Sequence, residues 1–237
     1  MPSSLPLIGA TITVAAVLVA LAGVAAAAAQ PGRADRPMGQ HRLPPIRNFV
    51  SHLHVSTRAA YGAVPATGET WEYFRTTANG SDARDDVISA TPPGGPTVGN
   101  WTSITPCRFG APTDPTYRIG ADGTCTRGTD SRAHLKSCDS EFADIGIVRL
   151  VPNVTCFALG QPGTLYAFDD GPIAIRYCMR SPSVVLGFNV SNATSGYLQT
   201  VEYFYFKASD DVDPRIFDIP TICNTTSTTD RAGETLP

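Results

Sequence analysis

YLQTVEYFYFKA, residues 197–208, is a run of aromatic and β-branched residues that suits an extended strand. Side chains alternate across a strand, so Tyr203 and Tyr205 are expected on one face and Phe204 and Phe206 on the other. Both faces then need cover. Such a strand belongs in the middle of a layered structure, with one face on the core and the other on a second layer or a ligand cavity; an ordinary core strand, apolar on both sides, is the plainer alternative.

Outward from this strand the dominant period stays at two. Phe49, Ser51, Leu53 and Val55 alternate with Val50, His52 and His54, which predicts an opening strand. Residues 71–76 and 85–89 flank Asn79-Gly80, and 117–119 and 124–126 flank Ala121-Asp122-Gly123; each pattern reads as a hairpin whose turn needs positive φ. Further strands are expected at 148–157, 164–168, 172–179 and 184–190, separated by Gly, Pro, Asn or Ser. The one expected helix is short, near 131–138. Many antiparallel strands with little helix predict a mainly β fold: a large curved sheet, a sandwich or a barrel.

The ends of the chain set its compartment. Residues 5–24 are apolar and uncharged and lead into the small-residue run 25–29, so 1–29 reads as a signal peptide cleaved just before Gln30; an uncleaved signal anchor is the alternative. Residues 30–45 form a Pro- and Arg-rich extended lead-in, 46–223 one β domain, and 224–237 a hydroxyl-rich flexible tail suited to O-glycans. Six of the seven asparagines, Asn79, Asn100, Asn153, Asn189, Asn192 and Asn224, open an Asn-x-Ser/Thr triplet, and only Asn48 does not. With 42 Ser and Thr in 237 residues, chance places about one of the seven there, so the excess points to N-glycans and a secreted, extracellular, secretory or lysosomal location. A net charge of -3 gives no electrostatic case for nucleic acid.

Six cysteines, Cys107, Cys125, Cys138, Cys156, Cys178 and Cys223, fit up to three disulfides in an oxidising compartment. No CxxC pair exists, which argues against zinc on these thiols. Spacing alone leaves all connectivities open.

The segment Asp213-Pro-Arg-Ile-Phe-Asp-Ile-Pro-Thr-Ile-Cys223 resembles the closing motif D-P-x-x-F-x-x-P-x-x-C of ependymin-related proteins and their eukaryotic relatives with a LolA-like fold. Residues 201–206 match the aromatic strand that leads into it, and weaker similarity touches 49–55, 71–86 and 117–125. The resemblance implies a LolA-like half-barrel: a curved antiparallel sheet around an apolar cavity that holds a lipid or other hydrophobic small molecule. It also implies that Cys125 pairs with Cys223, while Cys107, Cys138, Cys156 and Cys178 stay unassigned. Candidate cavity residues are Trp71, Tyr73, Phe74, Tyr203, Phe204, Tyr205 and Phe206, with the inward face left open.

Catalytic and metal signals are sparse. There is no GxSxG or SxxK motif, and the histidines are His41, His52, His54 and His134. His52 and His54 share a strand face at metal-binding range, yet a third ligand is not visible and a solvent-facing polar pair explains them as well. The acidic groups Asp85-Asp86, Asp169-Asp170 and Asp210-Asp211-Val212-Asp213 read as solvated loop carboxylates. Because ependymins are associated with calcium, a weak calcium site is the alternative; otherwise no cofactor or metal is expected. The leading expectation is a non-catalytic carrier of a lipid or fatty acyl chain. A matrix or adhesion glycoprotein comes second and an enzyme third. Oligomeric state is left open, a homodimer being one option.

Overall fold

The computed structural model describes residues 46–111, 113–130, 142 and 148–224. Among these, eleven strands form one antiparallel sheet. They are β1 (Phe49–Arg58), β2 (Ala66–Thr77), β3 (Gly80–Thr91), β4 (Trp101–Arg108), β5 (Asp114–Gly120), β6 (Cys125–Asp130), β7 (Arg149–Ala158), β8 (Gln161–Asp170), β9 (Ile173–Ser181), β10 (Val184–Asn192) and β11 (Tyr197–Ala208). The order is β6-β5-β4-β3-β2-β1-β11-β10-β9-β8-β7, so two meanders meet at a central seam between the first and last strands. The signal peptide, the lead-in, the expected helix near 131–138, Cys138 and the tail beyond Asn224 lie outside the described residues.

The sheet is open, with β6 and β7 at its edges, and concave. Curvature follows from one ring. Phe142 is fully buried, and its ring centroid lies 5.3 Å from Phe49 on β1, 6.2 Å from Tyr203 and 5.4 Å from Phe206 on β11, 6.4 Å from Phe188 on β10 and 6.5 Å from Tyr177 on β9. A flat sheet would spread those four strands over about 14 Å, so they bend around the ring. β6 and β7, consecutive in the chain, hold opposite edges, and Phe142 lies between them in sequence.

Local chemistry explains the hairpins. The β2–β3 turn is Ala78-Asn79, and Gly80 opens β3 at φ 146°, opposite Arg108. A Cβ at Gly80 would stand 2.1 Å from the Cys107 carbonyl oxygen, so only glycine fits. At β5–β6, Asp122 Oδ1 accepts from the Thr124 amide and hydroxyl at 3.0 and 2.7 Å, and Gly123 takes φ 77°.

Two features depart from expectation. β4 is a strand that the period of two does not announce, because WTSITPCR mixes polar residues with Pro106. The proline is tolerated because β5 pairs only with Trp101 to Ile104, leaving position 106 without a ladder partner on that side. The second departure is a bulge at the seam: Ser51 pairs with Phe206, His52 with Tyr205, and Leu53 with Tyr203, so Phe204 is the extra residue. Strict alternation fails there. Tyr203 and Phe206 share the concave face, while Phe204 and Tyr205 share the outer one.

Two disulfides complete the frame, Cys125–Cys223 and Cys156–Cys178, and Cys107 is also disulfide-bonded. These bonds place the chain in an oxidising compartment.

Candidate functional site

The concave face is apolar around the seam and towards β9. Phe49, Leu53 and Val55 of β1, Val201, Tyr203 and Phe206 of β11, Phe188 and Val190 of β10, and Tyr177 and Met179 of β9 form one cluster with Phe74 of β2 and Phe142. The rings interlock: Phe49 stacks on Phe74 at 5.7 Å and on Phe206 at 5.5 Å, and Tyr203 meets Phe206 edge-on at 5.2 Å. Such contacts are worth about 0.5–1.5 kcal/mol beyond area burial.

Towards β2–β4 the same face turns polar. Register places Ser51, Glu72, Asp85 and Ser103 in one row, and Leu53, Thr70, Val87 and Trp101 in the next. The Ser51 hydroxyl donates to Glu72 Oε2 at 3.1 Å. Arg118 lies 4.0 Å over the Trp101 ring, and burial lowers its pKa. The concave surface is therefore amphipathic.

The seven expected cavity residues divide between the faces. Phe74, Tyr203 and Phe206 belong to the concave cluster. Trp71, Tyr73, Phe204 and Tyr205 stand on the outer face and cannot line a concave cavity. Trp71 stacks on His52 at 4.6 Å with planes 6° apart and approaches Tyr73 at 6.5 Å and Tyr205 at 5.9 Å. Phe204 remains 50% exposed and Tyr205 44%. Burial, then the Asp86 charge, raises the pKa of Tyr73. The bulge places Phe204 and Tyr205 here, and the pairing His52–Trp71 brings Trp71 with them.

His52 and His54 also lie on the outer face. The register supplies neighbours that sequence spacing could not show: Glu69 opposite His54 on β2, and Glu202 opposite His54 on β11. His52 Nε2 is 2.8 Å from Glu69 Oε1, and Glu202 Oε1 accepts from the Leu159 amide at 3.2 Å. As the side chains stand, no three His, Cys, Asp or Glu among the described residues are grouped to hold a metal. The acidic pairs meet arginines instead. Asp86 accepts from Arg84 at 2.9 Å, Asp169 from Arg176 at 2.6 Å, and Asp213 from Arg215 at 2.8 Å. The Arg215 hydrogen bonds hold Asp213 down to about 2.

The closing motif straps the outer face of β2–β6. Asp213 caps the turn Pro214–Phe217, accepting from the Arg215 amide at 3.0 Å. Arg84 donates to the Ile216 carbonyl at 2.8 Å, and Arg75 lies 5.1 Å over the Phe217 ring. Ile219 packs with Tyr117, Ile119 and the Cys125–Cys223 bridge. Each fixed position of the motif has a contact or a turn to make. On the other half, Gly163 allows close packing, since a Cβ there would stand 3.0 Å from Cys178 Sγ, and the Cys156–Cys178 bridge holds β7 to β9.

Among the sequon asparagines, Asn79, Asn100, Asn153, Asn189 and Asn224 are exposed. Asn192 is half-buried, and its Oδ1 accepts from the Thr194 and Ser195 amides at 2.9 and 3.2 Å. Among the described residues no helix is long and apolar enough to cross a membrane.

No family model and no curated protein matches this chain. Among solved structures, an outer membrane lipoprotein-sorting protein domain from Vibrio parahaemolyticus aligns at 10% identity and TM-score 0.37, covering 72% of this chain and 89% of that one. A LolA superfamily protein from Nitrosomonas europaea aligns at 8% and 0.33, covering 76% and 94%. MucB aligns at 11% and 0.40, covering 78% and 61%.

Proposed function

We propose that the protein is a secreted, N-glycosylated carrier that holds a hydrophobic molecule, a lipid or fatty acyl chain, against the concave face of its sheet and performs no chemistry on it. The observation that carries this reading is the convergence of four strands on Phe142. An aromatic surface spread over β1, β9, β10 and β11 is covered at its centre by one ring from outside the sheet, and a ligand's apolar part would take that ring's place. Burial supplies the affinity, at about 25 cal/mol per Å2 of apolar area removed from water. The polar row through Ser51, Glu72 and Ser103 gives an amphiphile a second environment on the same surface. Exposure of five of the six sequon asparagines and the disulfides support passage through the secretory pathway.

The test is lipid extraction with mass spectrometry on protein secreted from eukaryotic cells. A stoichiometric hydrophobic species supports the carrier, and its absence from both secreted and lipid-incubated protein removes it. A second reading, an adhesion or matrix glycoprotein, is favoured by the outer aromatic group of Trp71, Phe204 and Tyr205, which has the half-exposed character of a docking surface. Loss of partner binding with Tyr205→Ser and retained lipid content would separate the two roles.

A further inference from the structure

Gln199 is 1% exposed and sits on the concave face of β11, between Tyr197 and Val201 along the strand. Its cross-strand partners are Thr57 of β1 and Val190 of β10, and Val190 in turn pairs with Ile175 of β9. This is an apolar neighbourhood with one chain of hydroxyls in it. The Tyr197 hydroxyl donates to Gln199 Oε1 at 3.3 Å, and the phenol has a second side-chain hydrogen bond, with Thr57. A phenol carries one hydrogen, already given to Gln199, so Thr57 is the donor in the other bond. With the amide oxygen turned to the phenol, Gln199 Nε2 is left buried without a partner among the described residues.

A buried amide hydrogen with no acceptor is costly, and native interiors rarely keep one without a use. We propose that Gln199 is the polar terminus of the concave site, where Nε2 donates to the carboxylate or ester carbonyl oxygen of an acyl ligand. This deepens the carrier reading and rests on it. The acyl chain then runs along β1, β10 and β11 past Val55, Val201 and Val190 towards Leu53, Phe188 and Tyr203, where Phe142 now packs. Gln199 and Tyr203 are four residues apart on β11, about 13 Å along the strand. The site thus has an apolar body with a single donor at one end, which selects for a molecule with an acceptor at one tip.

The experiment compares delipidated full-length wild type with Gln199→Leu, a near-isosteric change that removes both amide atoms. Palmitate, methyl palmitate and hexadecane compete against a fluorescent fatty-acid analogue, and thermal unfolding is followed without ligand. The expected result is selective. Q199L weakens palmitate and methyl palmitate by about tenfold or more, consistent with loss of one buried hydrogen bond, and leaves hexadecane within about twofold. The ligand-free protein melts within a few degrees of wild type, because the orphaned donor is gone but the Tyr197 hydroxyl loses its acceptor with it. A larger loss for palmitate than for its ester assigns a free carboxylate, whereas equal losses assign a carbonyl common to both. Equal weakening of all three ligands or unchanged affinities would overturn the role of Gln199 and leave the carrier standing. Wild-type protein that binds none of the three overturns both.

Discussion

The two halves of the sheet, β2–β6 and β7–β11, share one architecture and solve opposite problems. On the β8–β11 side the concave face is closed by aromatic packing around Phe142, so water is excluded by shape and area alone. On the β2–β5 side the same face carries Thr70, Glu72, Ser103 and Thr105, which bring little apolar area to the core. That half is secured from behind: the strap 213–223, two arginine contacts and the Cys125–Cys223 bridge hold its outer surface. A sheet can therefore keep a polar lining where a covalent tether replaces part of the hydrophobic drive.

The sharpest way to break this comparison is to cut each tether. The Cys125–Cys223 bridge spans 98 residues and Cys156–Cys178 spans 22, so loop-closure entropy gives about 4.7 and about 3.4 kcal/mol. The double variant C125A/C223A should lose about 1 kcal/mol more than C156A/C178A in denaturant unfolding, and its β2–β6 amides should exchange faster than those of β8–β10. Equal losses with uniform exchange would show that the halves do not differ in this way.

Phe142→Ala tests the other half. Removing a fully buried ring from a packed aromatic cluster should cost about 3–5 kcal/mol in chemical denaturation, with a loss of near-ultraviolet circular dichroism. If the carrier reading holds, part of this loss is recovered on adding palmitate. Outer-face changes should be far milder: Phe204→Ser, at 50% exposure, is expected to stay within about 1 kcal/mol of wild type. A larger effect would mean that the outer aromatics are structural.

The smallest effect concerns the strap. Asp213 has its pKa depressed to about 2 by Arg215, so its folded-state value lies below its unfolded value. The contribution is present above the unfolded pKa and is lost as pH falls towards 2. Carboxyl NMR titration should place the Asp213 midpoint near 2, and Arg215→Gln should move it back towards ordinary carboxylates, with a small loss of stability near pH 7 that disappears once the carboxyl is protonated.

Much of the fold was legible because alternation and turn chemistry are local. Phe49, Ser51, Leu53 and Val55 do face the core, and the hairpins fall at Asn79 and Gly123. The Cys125–Cys223 bridge is the pairing that the motif resemblance implies. What stayed hidden depends on distant strands. The bulge at Phe204 exists only against β1, so nothing in FYF announces which ring turns outward, and two of the seven cavity candidates changed face with it. β4 was missed because its polar inward residues serve a polar concave row rather than an apolar core. Phe142 had no signal at all, since its role comes from four strands bending around one point. Gln199 reads as a routine polar residue until Tyr197 and Thr57 are placed beside it.

The seam between β1 and β11 has a consequence for biogenesis. The strand at the middle of the sheet can acquire its second neighbour only after the last strand has left the ribosome, because Phe49 pairs with Ala208. The pairings within the meander β7–β11 are all local, so it can assemble before β11 meets β1, and the short-range Cys156–Cys178 bond can be oxidised with it. Cys223 arrives after every described strand, so closure of its bond is a late event, and a nascent chain held before that moment presents an unpaired β1 edge to chaperones.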